Sequence, residues 1–245
     1  MKYDRKFYEN NLALSKPHWQ TRVPRILQEL DPGPNDFILD VGCGVGYYVH
    51  EISSLISGVC VGVDLSSKAV RLAHKEKTNG NTAWIVGSIE HLPFRGEVFS
   101  GILCDSVIEH IPKYRDAIFE MARVLKVNGK LLMRTPNKQM YFSLDVIVRC
   151  WIDRRAGHLW RFSYGALKYL LEEDGLSVNK VHYEGHIFGI LQDAISFVIS
   201  KIHVEPYDQR VWRCTHLLNI LNMLNKRFDN PRLISFCLTA IKNEA

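Results

Sequence analysis

From Phe37 onward, short apolar runs alternate with segments of helical period, and this alternation constrains the fold of the 245-residue chain more than any other feature. The runs FILDVG (37–42), GVCVGVD (58–64), TAWIVG (82–87), FSGILCD (99–105) and GKLLMRTP (129–136) are rich in Val, Ile, Leu and aromatics and are bounded by Gly, Pro or Asp. Each reads as a strand. Between them, YYVHEISSLIS, SSKAVRLAHKEK and YRDAIFEMARVLKV space apolar residues three and four apart, as amphipathic helices do. Strand alternating with helix predicts an α/β fold: a doubly wound, mostly parallel sheet covered on both faces. LKVNGK is expected to stop the third of these helices at Gly129. Beyond TPN, FSYGALKYLLEEDGLSV predicts a helix capped by Ser163 and stopped at Gly175. NKVHYEGHIF and ISFCLTAIKN predict two closing strands, which brings the sheet to seven. The interval between them has no glycine after Gly189 and reads as a helical insertion over about residues 190–230, before the last strand. Ahead of the first strand, FYENNLALSKPHWQTRVPRILQEL predicts an N-terminal helical cap over residues 1–34, leaving 35–245 as the main domain.

This length suits one good-sized core, since single domains of roughly 100 to 250 residues are common. The 31 basic and 26 acidic residues give a net charge of +5, a mild excess that permits an anionic partner without requiring nucleic acid. Six cysteines lie far apart with no CxxC pair, which suits reduced thiols and argues against a disulfide framework or a thiolate zinc site. MKYDRKFYEN has no apolar signal-peptide core, so a cytoplasmic protein is expected.

The stretch ILDVGCGVGYY places Gly42, Gly44 and Gly46 between the first strand and the first helix of the alternation. Glycines there let backbone approach a ligand with no Cβ in the way, which predicts a nucleotide-like cofactor. Asp64 ends the second strand, eighteen residues past Gly46, where an acid can accept from both hydroxyls of a ribose. The spacing is G-x-G-x-G, and the last glycine of the dinucleotide pattern G-x-G-x-x-G is replaced by Tyr47, which disfavours a nicotinamide oxidoreductase.

With Asp40 two residues ahead of the first glycine, the turn resembles the D-x-G-x-G-x-G motif of the class I S-adenosylmethionine-dependent methyltransferases. The resemblance covers roughly residues 35 to 180. VGSIEHLPF is similar to the family's third motif, and FSGILCDSVIEHIPKYRDAIFEMARVLKVNGKLLMRTPN matches its fourth strand, following helix and fifth strand. It implies a Rossmann-like fold and S-adenosyl-L-methionine as cofactor, surrounded by Asp40, Gly42, Gly44, Gly46, Asp64, Leu65, Ser88, Ile89 and Cys104. Ser88 and Ile89 would lie at the adenine, and the Cys104 carbonyl would face the methionyl amino group.

Methyl transfer from a sulfonium is an in-line displacement, so the protein chiefly positions the nucleophile. A hydroxyl acceptor must also lose a proton, and histidine suits that task. Glu109 and His110 follow the fourth strand at its carboxyl end, where open α/β sheets bind ligands, and His158 follows the fifth. These three are the expected catalytic residues. EH and the later H…FS resemble the small-molecule O-methyltransferases of the ubiquinone-biosynthesis type. In those and in small-RNA 2′-O-methyltransferases, similar Glu and His residues can bind a divalent cation. The RNA enzymes have a further acid where this chain has Ser106, so no metal site is expected.

The expected acceptor is a small molecule methylated on oxygen, with an apolar portion reaching the insertion. An RNA methyltransferase is one alternative, with Arg149, Trp151, Arg154, Arg155, Trp160 and Arg161 as the grip. A non-catalytic cofactor-binding scaffold is another, because Ser88 and Ser106 stand where relatives often carry acids. In the insertion, a broad apolar face runs from Ile190 to Ile202, beside a polar stripe of Gln192, Ser196, Ser200 and His203. It predicts packing within the fold, a lid, a homodimer face or peripheral membrane contact, while Asp193 and Lys201 argue against a spanning helix. Tyr8, His18, Trp19 and Arg22 are expected to help the N-terminal cap cover the cofactor.

Overall fold

The computed structural model describes residues 22–76, 81–138, 157–184 and 235–244. Tyr8, His18 and Trp19 of the predicted cap, most of the Arg and Trp cluster, and the predicted insertion lie outside the described residues. Among the described residues no helix is long and apolar enough to cross a membrane.

In chain order the elements are α1 (Val23–Leu30), β1 (Phe37–Val41), α2 (Tyr47–Ser53), β2 (Val59–Asp64), α3 (Ser67–Lys75), β3 (Asn81–Val86), β4 (Phe99–Asp105), α4 (Tyr114–Val124), β5 (Leu125–Pro136), α5 (Tyr164–Glu173), β6 (Leu176–Glu184) and β7 (Ser235–Lys242). One 3₁₀ turn, Ile108–His110, follows β4. All seven strands join one sheet in the order β3-β2-β1-β4-β5-β7-β6. The order reverses between β1 and β4, and the pairs from β3 to β5 are parallel. β7 runs antiparallel between β5 and β6. This is the predicted doubly wound, mostly parallel sheet.

Successive strand residues face opposite sides, and each side has its own core. Leu39, Ile102, Cys104, Leu131 and Met133 pack with Ala117, Ile118 and Met121 of α4 and Leu167 and Leu171 of α5. Ile38, Cys60, Leu103, Leu132 and Cys237 pack with Val23, Ile26 and Leu30 of α1 and Val49 and Ile52 of α2. The helix predicted before the first strand is thus present as α1, and its apolar stripe is part of the second core. The buried Glu29 pins it further: its Oε2 accepts from Lys180 Nζ at 3.0 Å and from the Thr239 hydroxyl at 3.2 Å, on the far strands β6 and β7.

Local signals act largely as predicted. The Ser163 hydroxyl accepts from the Ala166 amide to cap α5, and Gly175, at φ 79°, ends it. One stop differs. α4 ends at Val124, because Leu125 is drawn into the sheet opposite Phe99. The left-handed residue of that turn is Asn128, at φ 62°, and the predicted helix tail LKV belongs to β5.

Candidate active site

The three predicted glycines occupy the β1–α2 turn with φ values of 70°, 56° and 80°. Side chains avoid that left-handed region, which favours glycine at each position. Two of the positions are also crowded. A Cβ on Gly42 would overlap the Val107 side chain, and one on Gly46 would overlap the Trp84 ring. The turn is therefore wedged between the loop after β4 and a tryptophan of β3 that the sequence reading did not single out. Its amides at Gly42 and Cys43 both donate to the Val63 carbonyl, at 2.7 and 3.0 Å.

Asp64 lies at the end of β2, beside this turn. Its Oδ2 accepts from the Gly44 amide at 2.8 Å, and its Oδ1 accepts from the Ser66 amide at 2.8 Å. Ser66 itself caps α3. Asp64 thus ties the glycine turn to β2, while each oxygen keeps a further lone pair. Leu65, next to it, is 75% exposed, a large apolar side chain turned to solvent. The Ser88 hydroxyl accepts from the Glu90 amide at 3.2 Å and so shapes its own turn. Ile89 and Cys104 have side chains buried in the first core.

Asp40 is 4% exposed, and its Oδ2 has no hydrogen-bond partner among the described residues. Burial, then the neighbouring charges of Asp105 and Asp64, push its carboxyl well above the ordinary range. Asp105, on the next strand, is compensated. It is paired with Arg134, accepts from the Tyr48 hydroxyl at 2.6 Å and lies 3.7 Å from Arg22 of the turn leading into α1. Burial alone would raise Asp105, but the Arg134 and Arg22 charges and these hydrogen bonds outweigh it and hold it below its usual value. The sequence reading missed this hub, although Asp105 and Arg134 sit directly opposite in the β4–β5 register.

The predicted catalytic residues come together. Glu109, His110 and His158 each offer a donor atom, and the three atoms lie within 4.8 Å of one another. The loop carrying His158 is stitched to the turn after β4: the Leu159 and Trp160 amides donate to the Glu109 carbonyl at 2.8 and 3.1 Å, and the Trp160 indole donates to the Ile111 carbonyl at 2.9 Å. Arg161 donates to the Asn137 carbonyl at 3.3 Å. Two members of the predicted RNA grip are therefore bonded to this protein's own backbone. Because a carbonyl only accepts, the 3.1 Å contact of His110 Nδ1 with the Gly157 oxygen places the proton on Nδ1 and leaves a lone pair on Nε2. Burial lowers the His110 pKa and keeps this ring neutral near pH 7. Glu109 is fully buried. Its Oε2 accepts from the Thr135 hydroxyl at 3.1 Å, and its Oε1 has no hydrogen-bond partner among the described residues. Burial, only partly offset by these hydrogen bonds, pushes the carboxyl up to about 7. Ser106 stays out of the cluster, donating to Asp105 Oδ1 at 3.0 Å.

Comparison with known proteins places this geometry in context. The methyltransferase-domain family matches residues 39–133, which hold the glycine turn, Asp64, the LPF loop and Glu109–His110. The uncharacterized protein MJ0638 of Methanocaldococcus jannaschii is 30% identical over 77% of this chain and 77% of its own. The mitochondrial ubiquinone biosynthesis O-methyltransferase of Schizosaccharomyces pombe is 33% identical over 45% of this chain, and the match covers only 41% of that enzyme. The crystal structure of YcgJ from Bacillus subtilis superposes with a TM-score of 0.62 at 23% identity, covering 92% of this chain and all of YcgJ, a likeness of fold. The methyltransferase-domain match over residues 39–133, together with the shared fold, identifies the chain as a class I S-adenosylmethionine-dependent methyltransferase.

Proposed function

We propose that the protein methylates an oxygen of a small-molecule acceptor, with His110 as the base. The observation that carries this reading is the fixed His110 tautomer, which leaves a lone pair on Nε2 of a residue in the cluster that follows β4. Val107, three residues before it, presses on the glycine turn, so base and cofactor turn are neighbours. On this reading Asp40, Gly42, Gly44, Gly46, Asp64, Leu65, Ser88, Ile89 and Cys104 surround S-adenosylmethionine, which supplies a methyl carbon on a sulfonium. The Asp40 carboxylate faces the cofactor's positive charge, and Asp64 takes the ribose hydroxyls on its remaining lone pairs. Held there, the cofactor would give its methyl group to the acceptor oxygen and depart as a neutral thioether, so the proton of the acceptor is what the protein's own residues must remove. His110 Nε2 takes the acceptor's proton, and the Gly157 carbonyl steadies the imidazolium that forms. Trp160 and Arg161, bonded to backbone in the fold, favour a small acceptor over RNA.

A specific observation supports a second reading. Two imidazoles and one carboxylate form a donor set that suits a divalent cation. The buried Glu109 Oε1 lacks a partner, and His110 holds its other nitrogen on a carbonyl, as metal-bound histidines do. A cation bound by Glu109, His110 and His158 would lower the acceptor hydroxyl's pKa, with other groups orienting it as before.

Transfer of labelled methyl into lipid, small aqueous, RNA and protein fractions tests both readings. Label in a lipid or small-molecule fraction, with turnover falling about 10²–10⁴-fold in His110→Gln and unaffected by a chelator, is the expected result. Loss of turnover with chelator and recovery with a divalent metal would replace the base with the cation, and label confined to RNA would overturn the acceptor class.

A further inference from the structure

The loop from Gly87 to Phe94 carries Ser88 and Ile89, yet it contains neither helix nor strand. Its own backbone hydrogen bonds are His91 to Ser88 at 3.2 Å and Phe94 to Leu92 at 2.8 Å. Most of its remaining support comes from α4, about thirty residues later. Glu120 Oε2 accepts from the Leu92 amide at 2.7 Å. Arg123 donates to the Phe94 carbonyl at 2.8 Å and to the Leu92 carbonyl at 3.1 Å. The two side chains also pair with each other, Arg123 Nε to Glu120 Oε1 at 2.6 Å and a second guanidinium nitrogen to Oε2 at 2.8 Å. A third tie lies at the head of α4, where the Lys113 amide donates to Glu90 Oε1 at 3.0 Å.

This arrangement exceeds what packing requires. Leu92 and Ile89 already bury their side chains in the first core. The Glu120–Arg123 pair satisfies backbone groups of Leu92 and Phe94, so it fixes where the loop's main chain runs rather than how its side chains pack. A forked guanidinium reaching the Leu92 and Phe94 carbonyls while its carboxylate partner takes the Leu92 amide leaves the loop one backbone course.

We infer that Glu120 and Arg123 are positioning residues for the cofactor: they hold the Ser88–Ile89 backbone in its ligand-ready course from a helix that touches no cofactor. The inference rests on the reading of that loop as the adenine side. Without the pair, the loop must be ordered when the ligand binds, and the ordering cost appears as lost affinity for the adenosine half.

The test measures binding of S-adenosylhomocysteine and of adenosine by calorimetry, at a temperature where circular dichroism shows each variant folded. Arg123→Met and Arg123→Lys, which both lose the fork, are expected to raise both dissociation constants by about tenfold. Glu120→Gln keeps an acceptor for the Leu92 amide and is expected to lose less. Ser88→Trp serves as a blocking control on the same loop. If it prevents binding while both Arg123 variants stay within about twofold of wild type, the positioning role fails and the adenine-side reading survives. If Ser88→Trp binds normally as well, that reading falls and the inference with it.

Discussion

Asp40, one residue from the end of β1, and Asp105, the last residue of β4, stand on neighbouring parallel strands, and both carboxylates are buried. Asp105 is enclosed by Arg134, Arg22 and Tyr48, and its carboxyl is held below the ordinary range. Asp40 keeps an oxygen without a hydrogen-bond partner among the described residues, and its carboxyl is pushed above that range. Burying an ionised carboxylate without compensation is costly, so a fold leaves one where a ligand provides the opposite charge. The difference separates two buried acids on adjacent strands: Asp105 fastens α2 and the start of α1 to the sheet, and Asp40 is left for the positive charge of the cofactor on the function proposed above.

The comparison can be broken most decisively at Asp105. Asp105→Asn leaves two guanidiniums without their carboxylate and should cost about 3–5 kcal/mol in denaturant unfolding at pH 7. The pH dependence follows from the lowered carboxyl: its stabilisation is complete above the unfolded value of 3.8 and is lost as pH falls through the lower folded value. The variant should lack that acid limb, and an unchanged midpoint would reduce the hub to a surface-like pair.

Asp40→Asn should do the opposite. Calorimetric titration with S-adenosylmethionine should show about a 100-fold loss of affinity, whereas the unliganded protein at pH 7 should be no less stable than wild type. Here the folded carboxyl lies above 3.8, so its contribution to unliganded stability is present below 3.8 and lost as pH rises through the folded value. Cofactor affinity of the wild type should therefore climb over that same interval and stay flat in the variant. Equal affinity in both proteins would remove Asp40 from the site. The smallest effect belongs to Leu65, whose exposed side chain adjoins Asp64. Leu65→Ala should weaken cofactor binding about fivefold and leave thermal unfolding unchanged, and a fall in melting temperature instead would make it a packing residue.

What the sequence disclosed follows from the range over which each signal acts. The glycine turn, the strands and the Ser163 cap are written within a few residues, so spacing and residue type suffice to find them. Glu109, His110 and His158 were legible as residue types in the segments that follow β4 and β5, but the hydrogen bond that sets the His110 tautomer is accepted by Gly157, 47 residues away. The Asp105 hub joins side chains 29 and 57 residues apart, and only the sheet register brings Arg134 opposite. Gly129 illustrates the reverse case. Its local signal was plain, yet tertiary pairing of Leu125 with Phe99 ended the helix earlier and passed the left-handed turn to Asn128.

The antiparallel strand has a consequence for how the molecule comes into being. Among the described residues β6, which ends at Glu184, bonds to the rest of the sheet only through β7, which begins at Ser235, so fifty further residues must be made before that strand is there to pair with it. During synthesis β5 and β6 both wait as open edges, and an open edge invites pairing with another chain. A ribosome that stalls anywhere in that interval releases a chain whose glycine turn and Asp64 can already be in place while its sheet stays unclosed, a species a chaperone would need to shield.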